Sequence, residues 1–294
     1  MATDLARFVA AEGRDALVAD VRRRIDAEGI TYIYYQFVSV TGRIMGKGVP
    51  APHWESMAAK GFQLVYGSTA NLFVDRHGDY IGYGPEAAEL VGIPEPETFE
   101  VLPWDSKVAR VWCTLFRNRE EQENPAAFLT ADCRGNLKRI QAQFEEATGL
   151  HLRAGTEPEM MWLNLKEDGT PDISGVTKPY CYHIDQFSEL QPIIHKVVEY
   201  GQALGLDMIQ GDHEDAPGQI ELNFNFDRAE QTAVDLRHAR AKLAVELPQR
   251  DLSGSIRSRA DKIVDCFGLS QVQLPVKECP LCELSPICET GSCL

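Results

Sequence analysis

The sequence lacks the features of membrane-spanning, secreted and nucleic-acid-binding proteins. No stretch approaches the ~18 consecutive apolar residues of a membrane-spanning helix, and the opening MATDLARFVAAEGRD has neither the basic start nor the apolar core of a secretory signal. Lysine and arginine number 29 against 44 aspartates and glutamates, a formal net charge of −15 that disfavours binding to a phosphate backbone. We therefore expect a cytoplasmic protein that binds neither membranes nor nucleic acid.

Cysteines are scarce until the end of the chain. Only Cys113, Cys133 and Cys181 precede residue 266, and scattered cysteines of this kind are typical of reduced thiols. The other five crowd the final stretch, at Cys266, Cys279, Cys282, Cys288 and Cys293. The last four resemble a zinc site of four cysteines, but their spacing is irregular, and disulfides are unexpected in a cytoplasmic chain. The excess of negative charge also ends near residue 232. We therefore predict that residues 233–294 form a cysteine-rich, poorly ordered tail that is unrelated to the rest of the chain.

The order of predicted elements indicates two domains of an α+β protein. Apolar spacing and turn residues predict a helix over 15–28, paired strands around Thr41-Gly42, a short helix ended by Gly61, and a strand over 108–117. The charged run NREEQEN marks the predicted boundary between a domain at 1–118 and a domain at 125–232. Beyond it we predict a helix over 126–148, a strand over 150–165, a helix over 186–204 and a β-hairpin. This order favours an antiparallel sheet with helices over a doubly wound parallel sheet.

Two short motifs together supply four carboxylates. One is GTEPE at Gly155–Glu159, where Glu157 and Glu159 are two residues apart and would share one side of a strand. The other is GDHEDAPGQIELNFNF at Gly211–Phe226, which alternates like a strand with one buried face after a Pro-Gly turn. The predicted hairpin therefore brings Glu214, near the end of its first strand, close to Glu221 on the polar face of its second.

Carboxylates gathered in this way point to divalent cations. Four negative charges on one face repel each other unless cations lie among them, and sites built from oxygen favour Mg²⁺ or Mn²⁺ over Zn²⁺ or Cu²⁺. An isolated E-x-E is usually a solvent-exposed pair, but Pro158 argues against an ordinary central strand. His213 is predicted to be an ordinary hydrogen-bonded histidine, with metal ligation as the alternative. The run GRIMGKG lacks the spacing and the Ser/Thr of a P-loop.

The residues and spacing of both motifs resemble those of the glutamine synthetase superfamily. G-x-E-P-E followed by H-E-x-x-P-G-Q-x-E is the shared pattern, and DHEDAPGQIELNFNFDRAEQT after KPYCYHIDQF is most similar to the glutamine synthetase-like branch that includes γ-glutamylmethylamide synthetases. The segment QFVSVTGRIMGKGVPAPHWESM resembles the small β-grasp domain that opens these enzymes. The resemblance covers about residues 15–232. It implies an N-terminal β-grasp-like domain followed by part of the antiparallel catalytic domain.

The resemblance also implies a reaction and a set of ligands. Members of the superfamily condense glutamate with ammonia or an amine at the expense of ATP, through γ-glutamyl phosphate, in homo-oligomeric rings. Two Mg²⁺ or Mn²⁺ sites are implied. Glu159, Glu214 and Glu221 match the site that orients glutamate and its acyl phosphate, and Glu157 matches the site that holds the nucleotide phosphates.

Tyr66 and Phe226 complete the implied site. The segment LVYGST resembles a loop that reaches into a neighbouring subunit's active site, where an aspartate binds and deprotonates ammonium. Tyr66 stands at that catalytic position, and a neutral phenol of pKa ~10 cannot act as its counter-charge at neutral pH. The nitrogen donor is therefore hypothesised to be an amine. Phe226 matches a position near the adenine of the nucleotide, with core packing as the alternative.

Parts of the family pattern have no counterpart after Thr232. The F-M-P-K-P run, the H-x-H motif and the substrate-binding arginines are not recognisable there. The interpretation is a chain truncated or frameshifted after about residue 232, with little ligase activity by itself. The alternative to a ligase is a catalytically dead subunit that only assembles or binds metal. A two-metal phosphohydrolase fits the carboxylates but not the wording of the motifs.

Overall fold

The computed structural model describes residues 3–40, 42–70, 77, 89–117, 129, 132–161, 164–168, 171–172, 181–216 and 218–229. These residues form two compact units. The first holds the described residues up to Leu152 together with Glu199–Leu206, and the second holds Arg153–Val198 and the described residues from Asp207 onward. The predicted linker at 118–124 and the predicted tail over 233–294 lie outside the described residues. The domain boundaries drawn from composition stay a prediction.

The first unit combines helices with a mixed sheet. Its elements are α1 (Asp4–Val9), α2 (Arg14–Glu28), β1 (Tyr32–Val38), β2 (Ile44–Pro50), α3 (Trp54–Lys60), β3 (Phe62–Leu64), α4 (Gly67–Ala70), β4 (Leu90–Pro94), β5 (Glu100–Leu102), β6 (Asp105–Phe116) and α5 (Cys133–Thr148). The strand order is β2-β1-β6-β4-β3, with β5 also paired to β6. β1 pairs antiparallel with β2 and parallel with β6.

Most of the local predictions for this unit are confirmed. Helix α2 and the β1–β2 pair lie where apolar spacing and the Thr41-Gly42 turn place them. The apolar residues of α2 recur at fourfold spacing, and of these Val21 and Ile25 are buried in the core while Leu17 is 43% exposed. Helix α5 begins at Cys133 rather than at 126, because Asp132 caps it by accepting a hydrogen bond from the Gly135 amide at 2.9 Å.

Gly61 ends helix α3 as predicted, and its backbone leaves no room for a side chain. Its φ of 64° and ψ of −169° belong to a region that only glycine occupies readily. A Cβ there would lie 2.2 Å from the carbonyl oxygen of Gly92. We expect Gly61→Ala to lower the free energy of unfolding by roughly 2–4 kcal/mol, as measured by urea denaturation.

The matched control for this substitution is Gly13→Ala. Gly13 also has a positive φ, of 79°, but no described heavy atom lies within 4 Å of its Cβ position. Its loss should be only about 1 kcal/mol, from backbone strain alone. Equal losses in the two variants would show that the contact with Gly92 does not matter.

The second unit is an antiparallel sheet covered by helices. Its elements are β7 (Arg153–Thr156), β8 (Glu159–Met161), β9 (Asn164–Leu165), β10 (Pro171–Asp172), α6 (Ile184–Glu189), the part of α7 (Gln191–Ala203) up to Val198, β11 (Met208–His213) and β12 (Gln219–Arg228). The strand order is β11-β12-β7, and β8 also pairs with β12. The apolar face of this sheet is covered, because Leu190, Ile194 and Val197 pack against Ile220 and Leu222. The predicted α+β class and the hairpin β11–β12 are confirmed.

Two predicted elements of this unit are broken in the structure. The predicted helix over 186–204 is two helices, α6 and α7, which separate at Leu190. The predicted strand over 150–165 is also wrong, because the chain leaves β7 at Thr156 and re-enters the sheet at Glu159. Pro158 lies in the interruption, where it has no amide hydrogen to offer a neighbouring strand. None of the described helices is long and apolar enough to cross a membrane.

Candidate metal centre

The register of the second unit's sheet brings carboxylates from three strands into one row. Asp212 of β11 pairs with Glu221 of β12, and Glu221 pairs on its other side with Glu159 of β8. Directly paired residues present their side chains on the same face of a sheet. Glu214 follows Asp212 by two residues and continues the hairpin, since its amide donates to the Gln219 carbonyl at 2.8 Å. The sheet thus gathers both sequence motifs on one face.

Three of these side chains form a compact group. Asp212, Glu214 and Glu221 each offer a carboxylate oxygen, and these oxygens lie within 4.8 Å of one another. All three residues are partly buried. The sequence motifs had singled out Glu214 and Glu221 but not Asp212. The available signal was its position two residues before Glu214, which places both on the same side of a strand.

Glu157 and Glu159 border this group and remain more exposed. The Pro158 carbonyl accepts a hydrogen bond from the Leu222 amide at 3.1 Å, which ties the G-x-E-P-E stretch to β12. The Glu159 carboxylate also accepts a hydrogen bond from the Gln219 amide group at 2.7 Å. Burial first, and then the charges of Glu157 and Glu159, raise the pKa of Asp212. The four glutamates chosen from sequence therefore lie together, and their ligand role is a proposal.

Glu221 is the most perturbed carboxyl group in this cluster. Burial raises its pKa, a hydrogen bond from Asn223 opposes that change, and the charges of Glu157, Glu214 and Asp212 raise the pKa further, to about 7. Close negative charges of this kind favour protonation unless a cation is bound. The site therefore stores electrostatic repulsion that a divalent ion would relieve.

The donors in the cluster suit a hard divalent cation. Every candidate ligand is a carboxylate oxygen, which Mg²⁺ and Mn²⁺ prefer. Among the described residues, Oδ1 of Asp212 and Oδ1 of Asn223 are also buried without a hydrogen-bond partner. Buried acceptors without partners are uncommon, because they lose their hydration without replacement. Oxygen chemistry, clustering and unsatisfied acceptors all fit a hydrated cation at this face.

The other predicted site residues lie elsewhere. Tyr66 belongs to the first unit, where it is partly buried against the core. Phe226 lies on β12 and is 55% exposed, with the Arg153 guanidinium 4.2 Å from its ring centroid. The alternative of core packing for Phe226 is wrong, because more than half of the residue is exposed. Its contact with adenine stays a proposal.

His213 differs from its prediction as a hydrogen-bonded histidine. It is fully buried, and neither ring nitrogen has a hydrogen-bond partner among the described residues. Its strand neighbours Asp212 and Glu214 point to the opposite face of β11. The nearest aromatic ring contact is with His183, at 6.3 Å between ring centroids.

Comparisons with known proteins agree with the motifs and the fold. Residues 130–244 match the family described as glutamine synthetase, catalytic domain. The glutamine synthetase of Halobacterium salinarum is 26% identical over 232 residues, covering 78% of this chain and 47% of that protein. The glutamate–methylamine ligase of Methyloversatilis universalis is 29% identical over 229 residues, covering 74% of this chain and 47% of that protein. A solved structure of GmaS in complex with ADP has 27% identity and a TM-score of 0.60, covering 75% of this chain and 47% of that chain.

The chain is similar to the glutamine synthetase superfamily through residues 130–244, and the similarity extends to a glutamate–methylamine ligase. The resemblance predicted from the two carboxylate motifs is thereby confirmed. The chain spans about half the length of the curated relatives it matches, since it covers 47% of each of the two relatives named above.

Proposed function

We propose that this site serves a ligase reaction in which ATP drives the condensation of glutamate with ammonia or an amine. The γ-carboxylate of glutamate attacks the terminal phosphorus of ATP, and ADP leaves. The amine nitrogen then attacks the resulting γ-glutamyl phosphate and releases phosphate. The observation that carries the proposal is the cluster of carboxylates contributed jointly by β8, β11 and β12.

The residues of the cluster would hold and orient the cations of this reaction. Asp212, Glu214 and Glu221 supply oxygens close enough to share one ion. We assign Glu159 to the same ion as this group. We assign Glu157 to a second ion, which faces the nucleotide phosphates. When bound, Mg²⁺ or Mn²⁺ would neutralise phosphate charge and hold the two substrates in line.

We propose that Tyr66 determines which nitrogen donor the site prefers. A phenol there offers an aromatic, uncharged surface where a carboxylate would favour ammonium. We therefore propose a preference for an amine such as methylamine over ammonia. Phosphate release at equal concentrations of ammonia, methylamine and ethanolamine tests this, and a preference for ammonia would reject it.

A coupled phosphate-release assay on the full chain tests the reaction itself. Release that requires ATP, a divalent cation, glutamate and an amine together supports the ligase. Cation-dependent ATP binding without any turnover rejects the ligase for this chain in favour of a catalytically dead subunit. Phosphate release that is independent of glutamate and amine would indicate a phosphohydrolase and would contradict the proposal.

Cation binding should weaken as the pH falls below 7. The pKa of Glu221 is raised to about 7 by burial and by the neighbouring carboxylates. A cation must displace the proton that Glu221 holds below this pH, so we expect the apparent affinity for Mn²⁺ to fall about tenfold between pH 8 and pH 6. Calorimetric titrations at both values measure this. An affinity that is equal at the two pH values would contradict the assignment of Glu221 as a ligand.

A further inference from the structure

Asn223 is the one buried amide side chain that touches the carboxylate cluster in the described part of the second unit. It follows Glu221 by two residues on β12, so both side chains lie on the same face of the strand. Only 6% of Asn223 is exposed. Its Nδ2 donates a hydrogen bond to Oε1 of Glu221 at 2.5 Å. The amide is therefore anchored to a carboxylate that we assign as a cation ligand.

The orientation of this amide follows from its chemistry. Exchanging its nitrogen and oxygen would place two acceptors against each other, because an ionised carboxylate can only accept hydrogen bonds. The nitrogen therefore faces Glu221. Oδ1 of Asn223 is left buried and without a partner among the described residues. An unsatisfied buried acceptor is costly, and a nearby donor would remove that cost.

A hydrated cation would provide such a donor. Mg²⁺ and Mn²⁺ keep several of their waters when carboxylates bind them. Waters on a cation are good hydrogen-bond donors, and outer partners of this kind orient the ligands and tune the affinity of metal sites. Oδ1 of Asp212, on the facing strand, is a second buried acceptor with no described partner. Two buried acceptors without described partners therefore belong to residues at the cluster.

We propose that Asn223 is a positioning residue of the cation site. Its amide N–H holds the Glu221 carboxylate in its binding orientation, and its amide oxygen accepts a hydrogen bond from a water on the cation. This inference rests on the proposed function, since it assumes that Glu221 is a ligand. Asn223 lies within the second motif but was not among the predicted site residues.

The test replaces Asn223 with a side chain that has the same number and branching of heavy atoms but no polar atoms. Asn223→Leu should weaken Mn²⁺ binding 10- to 100-fold, the usual cost of losing an outer partner of a metal ligand. The same change should leave the thermal midpoint of the metal-free protein equal or higher, because it removes a buried unsatisfied oxygen. Mn²⁺ binding is measured by the loss of the free-ion paramagnetic resonance signal, at the same alkaline pH for both proteins. A purely structural role would lower the midpoint and leave the affinity unchanged.

The matched control is Asn225→Leu. Asn225 follows Asn223 by two residues on β12, but it is exposed and donates to Asp207 at 2.9 Å. The Asn225→Leu variant should bind Mn²⁺ with the affinity of the wild type. If Asn223→Leu does not fold, the smaller Asn223→Ser and Asn223→Ala replace it, and both should lose affinity.

The outcomes separate this inference from the proposed function. A wild-type chain that binds no Mn²⁺ overturns both. A wild-type chain that binds Mn²⁺, with an Asn223→Leu affinity within twofold of it, overturns only the role of Asn223. Loss of affinity in Asn223→Leu but not in Asn225→Leu supports it.

Discussion

Glu221→Gln should weaken Mn²⁺ binding by roughly 10²- to 10³-fold while making the metal-free protein more stable. The loss follows from Coulomb attraction, since two unit charges about 4 Å apart attract by about 4 kcal/mol at an effective dielectric constant near 20. The gain follows from relief of repulsion, because Glu221 pairs with Asp212 and Glu159 and shares a cluster with Glu214. A loss of affinity together with a gain of stability is what we expect of a binding site whose carboxylates repel one another when no cation is bound.

Urea unfolding with and without Mn²⁺ measures both effects. The metal-free midpoint should rise in Glu221→Gln, and the stabilisation produced by added Mn²⁺ should largely disappear. In the wild type, the metal-free stability should grow as the pH falls through about 7, because the folded state holds the Glu221 proton more tightly than the unfolded chain does. Glu167→Gln, at an exposed carboxylate of the same unit, is the control and should change neither quantity. A metal-free protein destabilised by Glu221→Gln would contradict the repulsion that we describe.

Glu95→Ala should lower the free energy of unfolding by about 3–5 kcal/mol. Glu95 lies in the first unit with 1% of its surface exposed. Its carboxylate binds Arg134 at 2.5 Å and Lys138 at 3.0 Å, both from α5, and accepts a hydrogen bond from the Thr114 hydroxyl. Removing it leaves the Arg134 guanidinium, with 11% side-chain exposure, without its buried counter-charge. Such an uncompensated charge is what makes breaking a buried ion pair costly.

The same residue predicts loss of stability in acid. Burial alone would raise the pKa of Glu95, but Arg134 and Lys138 outweigh it and lower the pKa to about 2. A carboxyl group with a lowered pKa stabilises the fold fully above its ordinary pKa near 4.5, and that contribution is lost as the pH falls toward 2. Glu95→Ala should therefore lose less stability than the wild type between pH 5 and pH 2.

The control for Glu95 is its neighbour Glu97. Glu97 is exposed in the same turn, so Glu97→Ala should change stability by no more than about 0.5 kcal/mol. A small loss in Glu95→Ala, comparable to that of the control, would show that α5 does not depend on this ion pair.

Local patterns in the sequence predicted the elements that depend on neighbouring residues. Helix α2 and the hairpin β11–β12 follow from apolar spacing and turn residues, because their hydrogen bonds and buried faces are local. The parallel pairing of β1 with β6, which joins Tyr32 to Val108, is not encoded in either strand's pattern. The break between β7 and β8 was signalled by Pro158 but not placed, since a proline in a strand marks either an edge or an interruption.

The sequence identified most of the acidic residues of the site, but it predicted fewer of the contacts that bring them together. Glu214 and Glu221 could be brought together by a hairpin, which is a local structure. Glu159 reaches the cluster only because β8 pairs with β12. This pairing joins distant parts of the chain, since Gln219 and Glu159, which share a hydrogen bond, are 60 positions apart. Asp212 was missed because an aspartate beside a turn is common for reasons of backbone hydrogen bonding. The unsatisfied oxygen of Asn223 is visible only once the packing around it is known.

Anomalous diffraction from crystals of the full chain grown with Mn²⁺ tests the central claim most directly. The account predicts a manganese peak on the face shared by β8, β11 and β12, with carboxylate oxygens of Asp212, Glu214 and Glu221 about 2.0–2.3 Å from it. A peak bound by other residues, with these three carboxylates turned toward solvent, would contradict the account.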